Sequence, residues 1–562
     1  MRPTSAAAWI AATAATALLV TGCGSTGQDG TPKKAAPGVD GQDIGARPLA
    51  DLRQGGTLRL AIDQWITQYN VNDVDGQQGD AQEIIKTVMP DLFDSDAQGT
   101  PHANPDFLVS AKVVSTSPQV IEYDLNPKAK WSDGKPLSWH DFRAQWQALN
   151  GSDPAYEAAD PSGYDQIADV GQGSGPHAVK VTFKAPYADW QRLFDPLYPA
   201  RYYDSPAKFL KSWAEKVPVS GNAFKIGGTD KTAQTITLVP DPRWWGRKPK
   251  LDSIVYRVLD TSARPDAYLD KEIDYTSALL PEDYQRLAKA PDTDIRRGAR
   301  WDEVHITLNG GRGALKDLRV RQAVQHAVDR QGIDEAFAKD LSFQLKPLDN
   351  HFFMPNQKGY KDTSGGYADY DVAAAKKLLA AAGWKDAGAG KPRTKGGRQL
   401  TLDYVLSAGS TSAQTDQAQL VQQQLAQVGI KVELKKVPAN DYFNQFVNRG
   451  NFDLTSFRNV DAVYPSMLTP VFVQPRGRNL FQNFGSVGSP KIDALLKKAG
   501  ETTDHAKASD LYNQADTEIW RLAHSIELYQ RPEILAVRSG LANFGAEGLA
   551  DVDYTKVGWV KK

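Results

Sequence analysis

The residues able to do chemistry are scattered, and none of them has the spacing of a catalytic motif. The glycines of Gly171–Gly175 stand at the wrong offsets for a G-x-S-x-G nucleophile elbow. Gly388–Lys391 ends like a phosphate-binding loop, but Pro392 stands where Ser or Thr should follow. No H-x-x-x-H or H-E-x-x-H pair occurs among the histidines, which are His102, His140, His177, His305, His326, His351, His505 and His524. The sequence predicts no catalytic residue, no cofactor and no metal site, although ligation by histidines distant in sequence stays open.

The one cysteine, Cys23, follows an apolar stretch at the amino terminus. Arg2 is the only charged residue before it, and the stretch from Ala6 to Val20 is shorter than the ~20 residues of a bilayer span. Val20-Thr21-Gly22-Cys23 resembles the bacterial lipobox, in which the cysteine thiol receives a diacylglycerol. We therefore expect a lipoprotein signal peptide over residues 1–22 and lipidation of Cys23. A plain secreted protein with an unmodified thiol is the alternative.

Beyond Cys23 the sequence predicts a flexible tether and then a large folded body. Residues 23–53 contain no aromatic side chain and are rich in small and polar residues, so they cannot bury enough surface to order themselves. The 562-residue chain is 41% hydrophobic, which favours a sizeable core, and its net charge of −1 argues against nucleic-acid binding. One cysteine excludes an intrachain disulfide framework. No run of 18 apolar residues follows Cys23, so we expect anchoring without spanning.

Hydrophobic periodicity predicts the elements that position any site. Strands are expected at Thr57–Ile62, Val120–Leu125, Val179–Phe183, Thr235–Val239, Ser253–Leu259, Gln399–Leu406, Ile430–Val437 and Phe452–Phe457. Helices are expected from Ser138 to Leu149, at Arg319–Arg330, from Asp371 to Gly383, at Gln414–Val428 and at Asn440–Val447. The alternation of strands with helices in the second half indicates an α/β lobe.

Motifs in collinear order carry a family resemblance over nearly the whole body. They are Trp131–Ser138 with Asp141 and Phe142, Thr237–Pro249, Asp266–Tyr275, Val320–Arg330, and Asp371–Trp384. They resemble the "W-S-D-G-x-P", "N-P-x-Y-W-G-x-x-P", "G-E-I-D", "V-R-x-A-x-x-x-A-[IV]-D-R" and "A-x-x-L-L-x-x-A-G-[YW]" segments of peptide- and nickel-type extracytoplasmic solute-binding proteins (family five). These proteins are the receptors of ATP-driven ABC importers.

The resemblance implies an α/β fold with two lobes, periplasmic-binding-protein-like, of the large type II class, whose hinge closes on ligand. An extra subdomain belongs to the N-terminal lobe. Placed on this chain, the N-terminal lobe covers residues 54–300 in two subdomains and the C-terminal lobe covers 301–525. The tail, 526–562, returns to the N-terminal lobe. The crossovers fall near Arg300–Ile306 and His524–Tyr529.

The resemblance also implies the partners and the place of action. We expect a monomer, anchored by lipid to the outside of the bacterial cell membrane, that captures a peptide or similar solute and delivers it to the permease and ATPase subunits of an ABC importer. Family members bind oligopeptides, dipeptides, opines, sugars, haem and nickel complexes, so ligand identity stays open.

One loop is expected to hold the ligand. Asp461 lies four residues before Pro465, and in peptide-binding members the acid at this spacing pairs with the ligand's α-amino group. An ammonium in a closed cleft needs such a carboxylate partner. The family commonly has Gly-Trp where this chain has Phe457-Arg458, so Arg458 either neutralises Asp461 or binds a ligand carboxylate. Tyr464 shares the loop. The alternative for Asp461 is a carboxylate that caps its own turn.

Three aromatic residues complete the expected ligand-binding set. Trp65 and Tyr69 follow the first strand, in a loop that borders the cleft in the family, and offer flat apolar walls. Trp301 lies at an expected crossover between the lobes. Core aromatic residues are the alternative for Trp65 and Tyr69.

Two other functions stay open at the level of the sequence. A lipid-anchored receptor that presents its ligand to a membrane sensor would need the same binding lobes. A secreted hydrolase would need a catalytic constellation assembled from distant residues.

The lipobox generates a direct test at Cys23. Cys23→Ser removes the thiol that accepts the diacylglycerol, so we expect uncut precursor or release of the body from the membrane fraction. Labelling with a radioactive fatty acid should mark the wild type alone. A labelled Ser variant would contradict lipidation at this residue.

Overall fold

The computed structural model describes residues 41–339, 341, 343–460, 463–475, 480 and 482–561. The expected signal peptide, Cys23, residues 23–40 of the expected tether and Asp461 lie outside the described residues. The described end of the expected tether is packed on the folded body, since the Asp43 N–H donates to the Ala546 carbonyl at 2.8 Å and Leu52 is buried.

The part of the chain before residue 260 forms two four-stranded sheets. Its strands are β1 (Thr57–Ile62), β2 (Phe93–Ser95), β3 (Pro101–Ala103), β4 (Leu108–Thr116), β5 (Gln119–Leu125), β6 (Ile167–Gln172), β7 (Ala178–Phe183), β8 (Phe224–Asp230), β9 (Thr235–Pro240) and β10 (Ser253–Val258). One sheet has the order β1-β10-β9-β8 and the other the order β4-β5-β7-β6. β1 runs parallel to β10, and the remaining neighbours in both sheets are antiparallel.

A six-stranded sheet organises the rest of the described chain. The later strands are β11 (Tyr275–Ser277), β12 (Thr293–Leu308), β13 (Thr394–Lys395), β14 (Arg398–Gln399), β15 (Thr401–Ser407), β16 (Lys431–Val437), β17 (Leu454–Val460), β18 (Ser525–Arg538), β19 (Leu541–Ala542) and β20 (Gly558–Trp559). The order is β11-β18-β12-β17-β15-β16, with β15 parallel to both of its neighbours. Parallel pairs need crossover connections, which the helices after β15 and β16 provide.

Helices cover and connect these sheets. They are α1 (Gly79–Val88), α2 (Trp139–Leu149), α3 (Pro206–Lys211), α4 (Arg264–Leu269), α5 (Pro281–Leu287), α6 (Leu318–Ala327), α7 (Arg330–Ala338), α8 (Val372–Ala381), α9 (Ser412–Ala426), α10 (Ala439–Asp441), α11 (Thr469–Phe472), α12 (Pro490–Gly500) and α13 (His505–Leu522). The expected helix at Arg319–Arg330 is interrupted, because the Asp329 carboxylate accepts a hydrogen bond from the Gly332 N–H and starts α7. The expected helix at Asn440–Val447 is α10 continued by a π-helical turn, Tyr442–Val447.

The long strands β12 and β18 pair with each other twice. Thr293–Ala299 pairs with Pro532–Arg538, and Glu303–Thr307 pairs with Ser525–Gln530. Between the two stretches the register shifts, because the segment from Ala299 to Glu303 is longer than the segment opposite. An irregularity of this kind bends a strand pair. The two expected crossover segments fall on these strands, next to the bend.

Two large hydrophobic cores lie on either side of this pair. The first core takes residues between Leu58 and Tyr256 and adds Leu535, Val537, Leu541, Phe544 and Val557 from the end of the chain. The second core takes most of its residues from 267–454 and 523–536. A further cluster between Phe352 and Ile519 joins the second core where α13 packs on α6. We name the parts built on these cores the first lobe and the second lobe. Lobe boundaries at residues 300 and 525 stay a prediction.

Two motifs of the sequence resemblance meet at one corner of the first lobe. Trp131 is buried, and the Ser132 N–H donates to the Ser220 carbonyl at 2.8 Å. The Arg243 guanidinium donates to the Ser132 carbonyl, and Trp244 and Trp245 help to line a cavity of about 250 Å³ beside it. These motif residues hold the segment after β5 against the segment after β9.

The start of α2 combines a helix cap with a longer-range contact. The Asp141 carboxylate accepts the Ser138 N–H at 2.9 Å, which forms a capping box at the start of α2, and its other oxygen accepts the Ala200 N–H at 2.8 Å. Asp141 is buried. An unpaired buried N–H costs more than an exposed one, so this carboxylate stabilises both segments.

We expect Asp141→Ala to lower the free energy of unfolding by about 2–4 kcal/mol, the sum of a lost cap and an orphaned buried donor. Asp504→Ala is the matched control, because the Asp504 carboxylate caps α13 through the Ala506 and Lys507 N–H groups and is exposed. Its expected cost is about 1 kcal/mol. Urea unfolding measures both values, and equal losses would show that the Ala200 contact contributes nothing.

Candidate functional site

The rims of the two lobes are in contact. Their hydrogen bonds run from the Ala188 N–H to the Gly500 carbonyl (2.8 Å), from the Ser466 N–H to the Asp189 carboxylate (3.3 Å) and from the Lys358 N–H to the Gln98 carbonyl (3.1 Å). The Trp301 ring lies directly on Gly99, whose φ of +65° is one that glycine adopts freely. The lobes are therefore closed on one another in this structure.

The first lobe presents acidic side chains around one lysine. The Lys86 Nζ donates to the Asp551 carboxylate at 3.0 Å, and the other Asp551 oxygen accepts the Ser95 N–H at 2.8 Å. Asp195 accepts the Leu92 N–H at 2.6 Å. Asp91 shares a hydrogen bond with Asp195, and Asp94 lies near both Asp91 and Asp551. We call Lys86, Asp91, Asp94, Asp195 and Asp551 the acidic wall.

Burial raises the pKa of acids in the acidic wall. Burial raises the pKa of Asp94 to about 8, and the charges of Asp91 and Asp551 contribute to the rise. Burial also raises the pKa of Asp195 well above its usual range, with Asp91 adding to the effect. The Asp551 carboxylate raises the pKa of Lys86, so that side chain stays charged. One lysine among four carboxyl groups leaves a site that favours a cation.

Tyr464 is the expected site residue that the structure brings to this wall. It lies on the second-lobe loop that ends in Ser466, whose N–H bonds to Asp189 of the first lobe. Burial raises the pKa of Tyr464, and the charges of Asp195 and Asp189 raise it further. Its phenol therefore stays neutral and can donate or accept a hydrogen bond beside the acids.

Arg458, the cation of the expected site, has a partner within its own lobe. Its guanidinium donates to the Asp302 carboxylate at 2.7 Å. The same carboxylate forms ion pairs with Arg531 at 3.1 Å and with Arg300 at 3.4 Å. Asp302 lies in the bend between the two stretches of β12 and β18 pairing, so these arginines gather at the hinge. Asp461 lies outside the described residues.

The three aromatic residues of the expected site have different surroundings. Tyr69 is 1% exposed and belongs to the first core, so the structure places it behind the surface. Trp65 packs against the same core and its Nε1 is buried without a partner. Trp301 donates from Nε1 to the Leu549 carbonyl at 3.2 Å and closes the rim on Gly99. Only Trp301 of these three lies where the lobes meet.

The acidic wall was not predicted from the sequence. Its residues come from α1, the segment after it, the loop before Pro196 and the end of the chain, and no local spacing connects them. Lys86, Asp91 and Asp94 are the one part close enough in sequence to suggest a charged turn. The fold alone brings Asp195 and Asp551 to it.

Two α/β lobes that share a strand pair and close over a charged site define the class of two-lobed solute receptors. Residues 87–473 match the model of bacterial extracellular solute-binding proteins, family 5, and the chain belongs to that family. It is a substrate-binding receptor for an ABC importer and acts outside the cytoplasm. Among the described residues, no helix combines the length and apolar character needed to cross a membrane.

Relatives and solved structures agree with this assignment. The chain is 37% identical over 559 residues to the oligopeptide-binding protein OppA of Mycobacterium tuberculosis, covering 97% of this chain and 92% of the relative. A periplasmic EDTA-binding protein, EppA, matches with a TM-score of 0.81 and 26% identity, over 95% of this chain and all of its own. Lactococcal OppA, closed on an endogenous peptide, matches in fold with a TM-score of 0.68 and 20% identity, over 90% and 100% of the two chains. The expected family and two-lobed fold are thus confirmed.

The raised pKa of Asp94 predicts a pH-dependent cost to stability. A carboxyl group whose pKa is higher in the folded state favours folding at low pH, and this advantage is lost as the pH rises from about 4 to about 8. Asp94→Asn removes the charge, so the variant should be more stable than the wild type by about 1–3 kcal/mol at pH 8, a value reduced because solvent reaches the group. At pH 5 the difference should be smaller.

Chemical unfolding at both pH values measures this effect. Asp270→Asn is the control, since Asp270 is exposed and distant from the acidic wall in sequence. If the free energies of unfolding of the wild type and Asp94→Asn differ by the same amount at both pH values, the raised pKa of Asp94 is contradicted.

Proposed function

We propose that this receptor binds peptides through a free ammonium group and is held at the membrane by a lipid on Cys23. The acidic wall, which faces Tyr464 where the two lobes close, is the observation that most supports a ligand with a free ammonium group. The 37% identity to an oligopeptide-binding protein over almost the whole chain supports the same class. The lipobox at residues 20–23 supports the anchor.

Electrostatics favours an amine-bearing ligand. Four carboxyl groups stand around the single ammonium of Lys86, and Asp94 and Asp195 hold protons because too much negative charge would otherwise be buried. A ligand cation can replace those protons and offset the cost of burying carboxylates. A free α-amino group or a basic side chain of a peptide supplies that cation.

Within this proposal the second lobe contributes Asp461 and Tyr464. Asp461 pairs with the ligand's α-amino group, and Tyr464 hydrogen-bonds to the peptide. Arg458 shares the single Asp302 carboxylate with Arg300 and Arg531, so its positive charge can still bind a carboxylate of the ligand. Trp301 closes the rim, while Trp65 and Tyr69 stiffen the first lobe behind the site. The lobes divide near residues 300 and 525, and the receptor works as a monomer without a catalytic step.

The proposed pairing predicts a non-additive loss of affinity. Asp461→Asn should weaken binding of an unmodified peptide by about 2–5 kcal/mol, because it leaves a buried ammonium unpaired. Acetylation of the peptide's amino terminus should cost about as much. The two changes together should cost little more than either one, since they remove the same interaction.

Calorimetry on the four combinations of receptor and peptide measures the coupling. A peptide that mass spectrometry identifies in the purified receptor is the ligand, and Asp416→Asn, an exposed carboxylate on α9, is the control. Fully additive losses would remove Asp461 from the site and leave the peptide assignment standing. A receptor that carries no peptide and binds none would overturn the assignment itself.

A further inference from the structure

A second polar cluster lies inside the second lobe, where β12 and β18 pair beyond the bend. Glu303 and His305 project from β12, Glu527 from β18, and His351 from the segment after α7. All four side chains are buried, with 3–4% of each residue exposed. Glu303, His305 and Glu527 each offer one potential metal-ligating atom, and these three atoms lie within 4.8 Å of one another.

His351 is oriented toward Glu527. Its Nδ1 lies 2.6 Å from the Asp516 carboxylate, which is fully buried, so Nδ1–H donates to Asp516. The opposite ring nitrogen, Nε2, then carries a lone pair and faces the Glu527 Oε1 at 3.4 Å. His351 Nε2 and the Glu527 Oε2 are both buried without a hydrogen-bond partner. Two acceptors that face each other in a buried site need a proton or a metal ion between them.

His305 lies between Glu303 and the Thr307 hydroxyl, with one ring nitrogen near each. The Thr307 hydroxyl lies 3.0 Å from Nε2, and in the tautomer that has its proton on Nε2 this nitrogen donates to Thr307 while the Nδ1 lone pair faces Glu303. Nδ1 lies 2.9 and 3.1 Å from the two Glu303 oxygens. A carboxylate or hydroxyl partner on the far nitrogen of each ring is the usual support of a metal-binding histidine.

The space and the charge fit one ion. The cluster lines a cavity of about 10 Å³, roughly the volume that one water-sized sphere occupies. Phe457, Phe472 and Phe484 close the cavity on its apolar side. Among the described residues, no lysine or arginine nitrogen lies within 4 Å of the Glu303 or Glu527 carboxylate. The two acids therefore have no lysine or arginine to compensate their charge.

We propose that Glu303, His305 and Glu527 form a structural site for one divalent transition-metal ion, with Zn²⁺ the ion that fits best, and that His351, which lies beside Glu527 but outside this group of three, moves in as the fourth ligand. Zinc bonds of about 2.0–2.1 Å in a tetrahedron place neighbouring ligand atoms roughly 3.3 Å apart. The observed separations of 2.9–3.4 Å between His305 and Glu303 and between His351 and Glu527 are close to that value. The ion joins β12 to β18 and both to the segment of His351, within the second lobe and independent of the transported solute.

Metal content after expression is the first test. Wild-type receptor expressed with zinc in the medium and passed over a chelating resin should retain one zinc per chain by mass spectrometry. The resin replaces soluble EDTA because a structural relative is an EDTA-binding protein. Glu527→Gln and His351→Gln should each lose the zinc or bind it roughly 100-fold more weakly. His505→Gln and Glu518→Gln, outside the cluster, should retain it.

A second readout separates metal ligation from folding. Replacing zinc with Co²⁺ should give the intense visible absorption of a tetrahedral ion in the wild type, and Asp516→Asn, which keeps the ligands but releases His351, should weaken binding 10–100-fold. Circular dichroism establishes that each variant is folded, and Glu303→Gln replaces any variant that is not. A wild type that neither retains zinc nor melts at a higher temperature when zinc is added would overturn the site and leave a network of shared protons. Zinc retained equally by the folded ligand variants would also overturn it.

Discussion

Strands β12 and β18 hydrogen-bond to each other on both sides of a bend, and both lobes are built outward from that pair. Leu535 and Val537 of β18 enter the first core, while Ile534 and Ala536 enter the second. The stretches Glu303–Thr307 and Ser525–Gln530 form the centre of the second lobe's sheet. A ladder of backbone hydrogen bonds is stiff along each stretch, while the shifted register near Asp302 allows the angle between them to change. Arg300, Arg458 and Arg531 surround Asp302 at that point, so charge as well as backbone geometry sets the hinge.

Closure of the lobes brings carboxyl groups into a poorly hydrated space. Such a state is costly when empty, because each buried carboxylate must lose water or take a proton. A ligand cation lowers that cost only when the lobes are closed, and differential affinity of this kind is what shifts a two-state equilibrium. In the proposed mechanism the acidic wall and the hinge act together: the hinge permits two states, and the wall makes their balance depend on the ligand.

The sequence was sufficient for the family and the two-lobed fold. The period of the strands predicted the elements, and the motifs around Trp131 and Trp244 predicted the family, because each depends on residues close in the chain. The acidic wall depends on contacts between residues as distant as Lys86 and Asp551, which periodicity does not report. The aromatic side chain of Tyr69 made it a candidate binding residue, yet the structure buries it in the first core. The proximity of His351 and Glu527 could not be predicted either, because histidine motifs are recognised by local spacing and these two residues meet only in the fold.

The last residues of the chain complete the first lobe. Leu541, Phe544 and Val557 enter the first core, and the Arg53 N–H donates to the Trp559 carbonyl at 2.8 Å. The first lobe is therefore discontinuous in sequence. Its core is still incomplete when the residues between Leu58 and Tyr256 have been synthesised. Until the carboxyl terminus has emerged, part of that core stays exposed to water, so the nascent chain cannot reach its most stable packing early. A polypeptide destined for export benefits from this delay, because the translocation machinery passes unfolded chains, and final folding is left to the far side of the membrane.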